Sequence, residues 1–413
     1  MQNAELYPKY RYVMGILDIL CSNLTHMVCL AVAPMLVYIA ADFNIDTATA
    51  GYATTLHILA QGLFMLIGPI IIGYVDHKKT QFAGVTIEVL GCVLIYFAPS
   101  FPMLLLARFM TGAGHGLSSA CTHSLIAAWF PPKQKSAMVT ANTAGIVLIT
   151  FLTYTFTVPL FKALGNSWRL VLLIMGGVLL VLDIVWVLFA RDNHVMNEYI
   201  RQNNALQGKK VNAFSGMKEA LSRRDVLLLG IFMGFATIAA NGITTYLPQF
   251  LHTVRGFTEE AASSIVGVAS GISAAATIFG GFATTLLGKR KIIIVPTYVL
   301  SITFLTLALS FSGAGMISGM FIAYTIFSNM RNPASQTIST ELKNVTPALT
   351  SSAAAISFGI GFIGTFFASP LLQLSISIFG EARQMLIYIP LFLISFAAII
   401  CMPETGPGRK SKA

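Results

Sequence analysis

Apolar residues run through this chain in blocks of about twenty, separated by short polar turns rich in Gly, Pro and clustered charge. A helix rises ~1.5 Å per residue, so about twenty apolar residues cross the ~30 Å hydrocarbon layer of a bilayer. The pattern predicts twelve such helices, over 12–39, 49–72, 82–99, 103–128, 137–161, 168–189, 226–250, 260–287, 292–312, 315–339, 347–378 and 384–402. Several exceed the minimum and are expected to tilt or project. Lipid-facing barrel strands would instead alternate over about ten residues. The start of the chain is polar and the first block has no small-residue cleavage pattern, so no removable signal peptide is expected.

Composition agrees. Only 10% of the 413 residues are charged, and mean hydropathy is +0.75; soluble domains carry roughly a quarter charged residues. The five cysteines all fall inside apolar blocks, in an odd number and without metal-ligand spacing. They read as small buried hydrophobes, and no metal or cofactor is expected.

The net charge of +10 is informative through its distribution. With the N-terminus in the cytoplasm, twenty Lys and Arg fall in inner segments. Only Lys162, Arg169, Arg255 and Arg383 fall in outer ones. This asymmetry sets topology. It places both termini in the cytoplasm and gives no reason to expect a nucleic-acid partner.

The two halves of the chain repeat each other. IGYVDHKKT (72–80) and GGFATTLLGKRK (280–291) both end a block in a basic cluster, and their clusters begin 211 residues apart, at Lys78 and Lys289. SWRLVLLI and EARQMLIYI each open a block with an Arg at its outer edge, Arg169 and Arg383, 214 residues apart. The predicted fold is therefore an all-α integral membrane protein of twelve transmembrane helices in two six-helix bundles. The expected division is 1–190, a cytoplasmic linker over 191–225, and 226–413. Parallel repeats of this kind are a transporter architecture, with the site near the repeat interface.

These features resemble the major facilitator superfamily over nearly the whole chain. Its signature between the second and third helices is a Gly, an Asp four residues on, and a second Gly among basic residues. Here Asp76, Lys78 and Lys79 fit, with Ile72 and Lys79 at the two Gly positions. In the second copy Gly281, Gly288, Lys289 and Arg290 fit, and Thr285 replaces the acid. The resemblance implies that this loop latches the two bundles. A plain Asp–Lys interfacial cluster is the other reading of the first copy. AAWFPPKQKSAM (127–138), GNSWRLVLLIMGG and LFARDN are similar to the anion:cation symporter and cyanate/nitrate-type branches.

A charge at the centre of a transmembrane helix costs about 2.5–3.5 kcal/mol on insertion scales, so each one needs a reason. Arg331, in SNMRNPASQ, lies about eight residues from the nearer end of its block, beyond comfortable snorkelling. Pro333 frees the carbonyl of Asn329, and Asn329, Asn332 and Gln336 add amides. A guanidinium fork there suits a carboxylate or similar anion; the alternative is an internal pair with Glu88 or Asp183. Arg108 opens RFMTGAGHG, whose glycines allow close helix approach. The resemblance gives this Arg a part in proton coupling, against snorkelling to headgroups or a structural bond to a neighbouring helix.

Asp18 and Glu88 each lie about seven residues inside their helices and are candidate proton carriers. The resemblance favours Asp18, because it places the first helix at the cavity and the third outside. His26 stands where the organic-anion branch often carries Asp–Arg, and could bind substrate, sense protons or bond within the core. His115 and His123, eight apart, can both face the cavity, whereas His57 reads as a core residue. Asn241 and Tyr246 in AANGITTYLPQF, with Tyr154, complete the candidate site; each is otherwise packing.

No nucleophile elbow or phosphate-cradling loop appears, so an enzyme is not expected. Three readings remain. The first is a monomeric secondary transporter in the cytoplasmic membrane for a small organic or inorganic anion, coupled to protons or an exchanged ion. The second is a drug or cation exporter using Asp18 and Glu88. The third is a receptor or scaffold, which the short termini and loops disfavour.

Overall fold

The computed structural model describes residues 7–193, 195, 196, 198, 220–311, 313–342 and 347–406. Most of the expected 191–225 linker lies outside the described residues. The helices are α1 (Arg11–Leu30), α2 (Leu36–Phe43), α3 (Thr47–Ala50), α4 (Tyr52–Val75), α5 (His77–Tyr96), α6 (Phe101–Trp129), α7 (Pro132–Ala163) and α8 (Trp168–Phe189). They continue as α9 (Arg224–Thr253), α10 (Glu259–Leu287), α11 (Lys291–Ser310), α12 (Ala314–Met330), α13 (Asn332–Thr337), α14 (Pro347–Thr365), α15 (Ala368–Phe379) and α16 (Tyr388–Cys401).

Among the described residues nine helical stretches are long and apolar enough to cross a membrane, or ten if the bent pair α14–α15 forms one span. The two other apolar runs of the sequence fold as α6 and as the broken stretch 314–340. These are the runs that carry the buried arginines, Arg108 and Arg331.

Two breaks matter for the site. α1 ends at Leu30 and resumes as α2 after a 3-10 turn over Ala33–Met35, where Pro34 has no N–H to give. α12 ends at Met330 and α13 starts at Asn332 with Pro333 in its first turn, so Arg331 sits at the break. Both breaks release backbone carbonyls inside the protein, which must be satisfied there.

Within the first half α6 packs on α4 and α5, and α5 on α8; within the second α9 packs on α14 and α16, and α12 on α10 and α11. The halves meet along α7 with α10 and α4 with α14. We call the end carrying the turns at 44–46, 164–167 and 254–258 distal, and the end carrying Asp76 and Arg290 proximal. At the distal turn Asp46 caps α3 through the Thr49 N–H at 2.8 Å. The Thr49 hydroxyl also donates to it and holds its carboxyl below the usual carboxylate range.

Candidate functional site

A small polar cavity lies between α1, α4, α7, α9 and α14. Its walls carry His26, Thr54, Gln61, Tyr154, Asn241, Thr244, Thr245 and Phe362. Its volume, about 30 Å³, has room for roughly two waters. Its walls come from both halves, so a larger solute requires the halves to part.

Polar contacts between the halves gather at the distal end. Gln249 donates to Thr47 Oγ1 at 2.7 Å, Ser369 to the Ala48 carbonyl at 2.7 Å, and Tyr154 Oη to the Thr244 carbonyl at 2.9 Å. Tyr38 donates to Glu259, and Lys162 pairs with Glu260. The ring of Tyr246 seals this end against Gly51, where an added Cβ would lie 2.2 Å from the Tyr246 oxygen. A side chain there would push the Tyr246 ring back.

Behind the cavity wall runs a chain of hydrogen bonds that the sequence reading missed. Thr111 donates its hydroxyl to the Arg108 carbonyl at 2.9 Å, so its oxygen accepts from His57 Nδ1 at 2.8 Å. His57 Nε2 then accepts from His115 Nδ1 at 3.1 Å, and His115 Nε2 from Gln61 Nε2 at 3.3 Å. With the Thr111 proton on the Arg108 carbonyl and the Gln61 amide turned toward His115, each donor in the chain has one acceptor. The His26 ring stands edge-on to His115 at 5.4 Å between centroids and joins the chain to the cavity. Two glycines make this approach possible. A Cβ on Gly112 would lie 2.1 Å from the His57 carbonyl oxygen, and one on Gly116 2.4 Å from that of Gln61.

Arg108 is fully buried and does not snorkel. Its Nε donates to the Ala53 carbonyl at 2.7 Å, Nη1 to Val28 at 3.1 Å and Nη2 to Cys29 at 3.4 Å. The last two carbonyls belong to the final turn of α1, released by the break at 31–35. A cation at a helix C-terminus is favourable both to these groups and to the helix dipole.

Arg331 is buried but does not line the cavity. It turns into the second half, where Nη1 donates to Ser301 Oγ at 2.8 Å and the guanidinium lies 4.1 Å from the Tyr298 ring centroid. The alternative pairing with Glu88 or Asp183 is not formed: Asp183 accepts from Thr86 at 2.7 Å, and neither Glu88 oxygen has a hydrogen-bond partner. Asn332 donates to Asn329 at 3.2 Å, and Asn329 to Ser273 at 3.1 Å. Asp18 accepts from Thr122 through Oδ1 at 3.2 Å while its buried Oδ2 has no partner.

The candidates thus divide by place. His26, Tyr154 and Asn241 reach the cavity, with Asn241 also donating to Thr365 at 3.3 Å. His115 reaches it through the chain. Tyr246 packs at the distal end; Arg331 donates to Ser301, while Asn332 donates to Asn329 and Asn329 to Ser273, none of them in the cavity wall. The His123 side chain lies outside the described residues.

At the proximal end Asp76 adopts φ 86° and caps α5, accepting from the Lys79 N–H at 2.9 Å and pairing with Lys79 Nζ at 3.1 Å. The carbonyl of Lys78 accepts from Trp186 Nε1 at 3.0 Å. In the second half Gly288 ends α10 with φ 62°. Arg290 donates through Nε to Glu341 at 2.8 Å, and its N–H donates to Glu404 at 2.8 Å. Lys289 is exposed. Gly281 faces Thr140 of the other half, an added Cβ lying 3.0 Å away.

A hexuronate transporter of Bacillus subtilis is 23% identical over 257 residues, 61% of this chain and 59% of that protein. A probable galactarate/D-glucarate transporter of Escherichia coli is 22% identical over 278 residues, 61% of this chain and 60% of that protein. The chain thus spans about three fifths of the length of each. The structure of a proton:xylose symporter, bound to 6-bromo-6-deoxy-D-glucose, superposes with a TM-score of 0.73 at 15% identity, covering 96% of both chains. That likeness establishes a multi-spanning, all-α membrane fold. The family model of the Major Facilitator Superfamily matches residues 19–351, well over half of the sequence, and the chain belongs to that superfamily of membrane transporters.

Proposed function

We propose that this protein is a secondary active transporter for a small anion, a carboxylate in the first instance. It works by alternating access of the central cavity and is driven by protons. In this reading twelve spans form two bundles, 1–190 and 226–413, with both termini on the cytoplasmic side of the cytoplasmic membrane. The observation that carries the anion is Arg331. Its guanidinium is buried, has no carboxylate partner among the described residues, and makes its one described hydrogen bond to a neutral hydroxyl. A buried charge is retained at a cost of several kcal/mol unless something pairs with it, and a substrate carboxylate would do so once the halves part. The sugar-acid names of the two relatives support the same class.

Protons have two candidate carriers, Asp18 and Glu88, each buried with at least one oxygen unbonded. A carboxyl without fixed partners can exchange its proton without dismantling a network. The test is uptake of labelled dicarboxylates and sugar acids into proteoliposomes under an imposed pH gradient. Lipophilic cations serve as the competing class. Gradient-driven movement of cations alone would replace the anion with an exporter's substrate.

A further inference from the structure

We infer that the distal end of the second half holds an anion site for a phosphate group, built from Arg255 and Arg383. Four cations lie at the distal end: Lys162, Arg169, Arg255 and Arg383. The first two are paired with acids, Lys162 with Glu260 and Arg169 with Asp42. No acid pairs with the other two among the described residues, and both line one cavity of about 440 Å³ with Phe250, Leu309, Ser310 and Met385.

Comparing the two halves shows how the pairing is lost. The turn after α2 closes on left-handed Asn44 before the Asp46 cap; the turn after α9 closes on left-handed Gly256 before the Thr258 cap. The first turn supplies Asp42 to Arg169, whose Nη2 also donates to the carbonyl of Ala98 at 3.2 Å. In the second turn Val254 stands at the position of Asp42, with Arg255 beside it. Arg255 Nη2 takes the carbonyl of Leu309, 211 residues on from Ala98, at 3.0 Å. Arg383, the counterpart of Arg169, is exposed, and its side chain makes no hydrogen bond or ion pair among the described residues. An ion pair in one half has become two like charges around a cavity in the other.

The remaining donors point to an oxyanion. Arg255 Nε is buried with no acceptor, and its guanidinium is held 5.4 Å from the Phe250 ring centroid. Two guanidinium forks offer the paired donors that phosphate oxygens match. A cavity of this size lies in the range for small-molecule sites. Glu381, two residues before Arg383, is exposed. The apolar walls at Leu309 and Met385, and the exposed Leu393 and Ile394 farther along α16, suit a phosphate that carries acyl chains; a free phosphorylated solute offers the same headgroup chemistry.

The experiment follows melting of the full chain in an uncharged detergent. Inorganic phosphate and short-chain phosphatidylglycerol are titrated separately, each against chloride at equal ionic strength. A ligand of the folded state raises the melting temperature in a saturable way. At least one probe should do so, and Arg383→Gln, which removes no side-chain bond among the described residues, should raise the half-saturating concentration at least tenfold. Saturation by the lipid alone assigns the site to a headgroup, and saturation by phosphate at similar concentration assigns it to a free solute. The inference is overturned if neither probe exceeds chloride in the parent protein. It is also overturned if the shift persists in both Arg383→Gln and the Arg255→Gln/Arg383→Gln double variant.

Discussion

His57 and His115 meet ring to ring between α4 and α6, with Nε2 of the first 3.1 Å from Nδ1 of the second. Because Thr111 spends its hydroxyl proton on the Arg108 carbonyl, the chain from Gln61 to Thr111 has one polarity. His57→Leu leaves the His115 donor and the Thr111 oxygen facing an apolar group. Each buried group stranded in this way costs about 1–3 kcal/mol. The variant should melt well below the parent protein, and His57→Gln should recover part of the loss. Equal melting of parent and leucine variant would show that the chain is not formed.

Arg108 binds three carbonyls on two elements, and only a planar fork can reach all three. Arg108→Lys keeps the charge but loses at least one of these bonds, each worth about 1.5–3 kcal/mol. Substantial loss of stability is expected, measured by melting in detergent. A lysine variant with native stability and defective proton coupling would restore the functional reading suggested by the family resemblance.

The distal contacts hold the cavity shut with modest bonds, as a reversible gate requires. The Lys162–Glu260 pair is nearly half exposed, and such pairs contribute about 0–1 kcal/mol. Removing it together with the Tyr38–Glu259 bond, by Glu259→Ala/Glu260→Ala, should shift the population toward distal opening by about fivefold per kcal/mol lost. The readout is maleimide labelling of Thr244→Cys in the cavity wall from the distal side. Labelling no faster than in the parental gate would remove these contacts from gating.

The helices were legible because a block of twenty apolar residues has few alternatives in lipid. The cavity was less so. His26, Tyr154 and Asn241 stood out as polar residues in apolar runs and do reach it. His57 was dismissed because it was read alone. The signal was the pairing of His57 with Gln61 and of Thr111 with His115, each four apart, which puts two polar residues on one face of each helix. The gap left by Gly112 and Gly116 then brings those faces together. Arg331 was found by its depth, but depth does not give direction, and the side chain turns toward Tyr298 rather than the cavity. Glu341 and Glu404 could not be found from spacing, since they reach Arg290 from 51 and 114 residues away.

Proton coupling through Asp18 and Glu88 has a simple test. Asp18→Asn should lower proton-driven uptake in proteoliposomes at least tenfold while leaving exchange of labelled substrate intact. Glu88→Gln should have the smaller effect, because α5 contributes nothing to the cavity wall, whereas α1, which carries Asp18, does. Unaltered proton-driven uptake in the double amide variant would exclude both residues as carriers.

The strongest test of the anion reading concerns Arg331. In this structure its guanidinium donates once, to Ser301, and lies against the Tyr298 ring, so two roles make different predictions. If it grips a substrate carboxylate when the halves part, Arg331→Gln loses both charge and fork, while Arg331→Lys loses only the fork. A charge-assisted bond contributes about 1.5–3 kcal/mol, and ~1.4 kcal/mol is a factor of ten in affinity. Glutamine should then weaken binding at least tenfold, with lysine between. If the residue only ties α12 to α11, both variants lose stability and bind normally in whatever folds. Ser301→Ala separates the two further, since it removes the structural partner and leaves the guanidinium free: stability should fall by about 1.5–3 kcal/mol while affinity holds or rises. Melting and binding measured on the same purified preparations decide between them, and unchanged affinity in folded Arg331→Gln would remove this residue from the substrate's path.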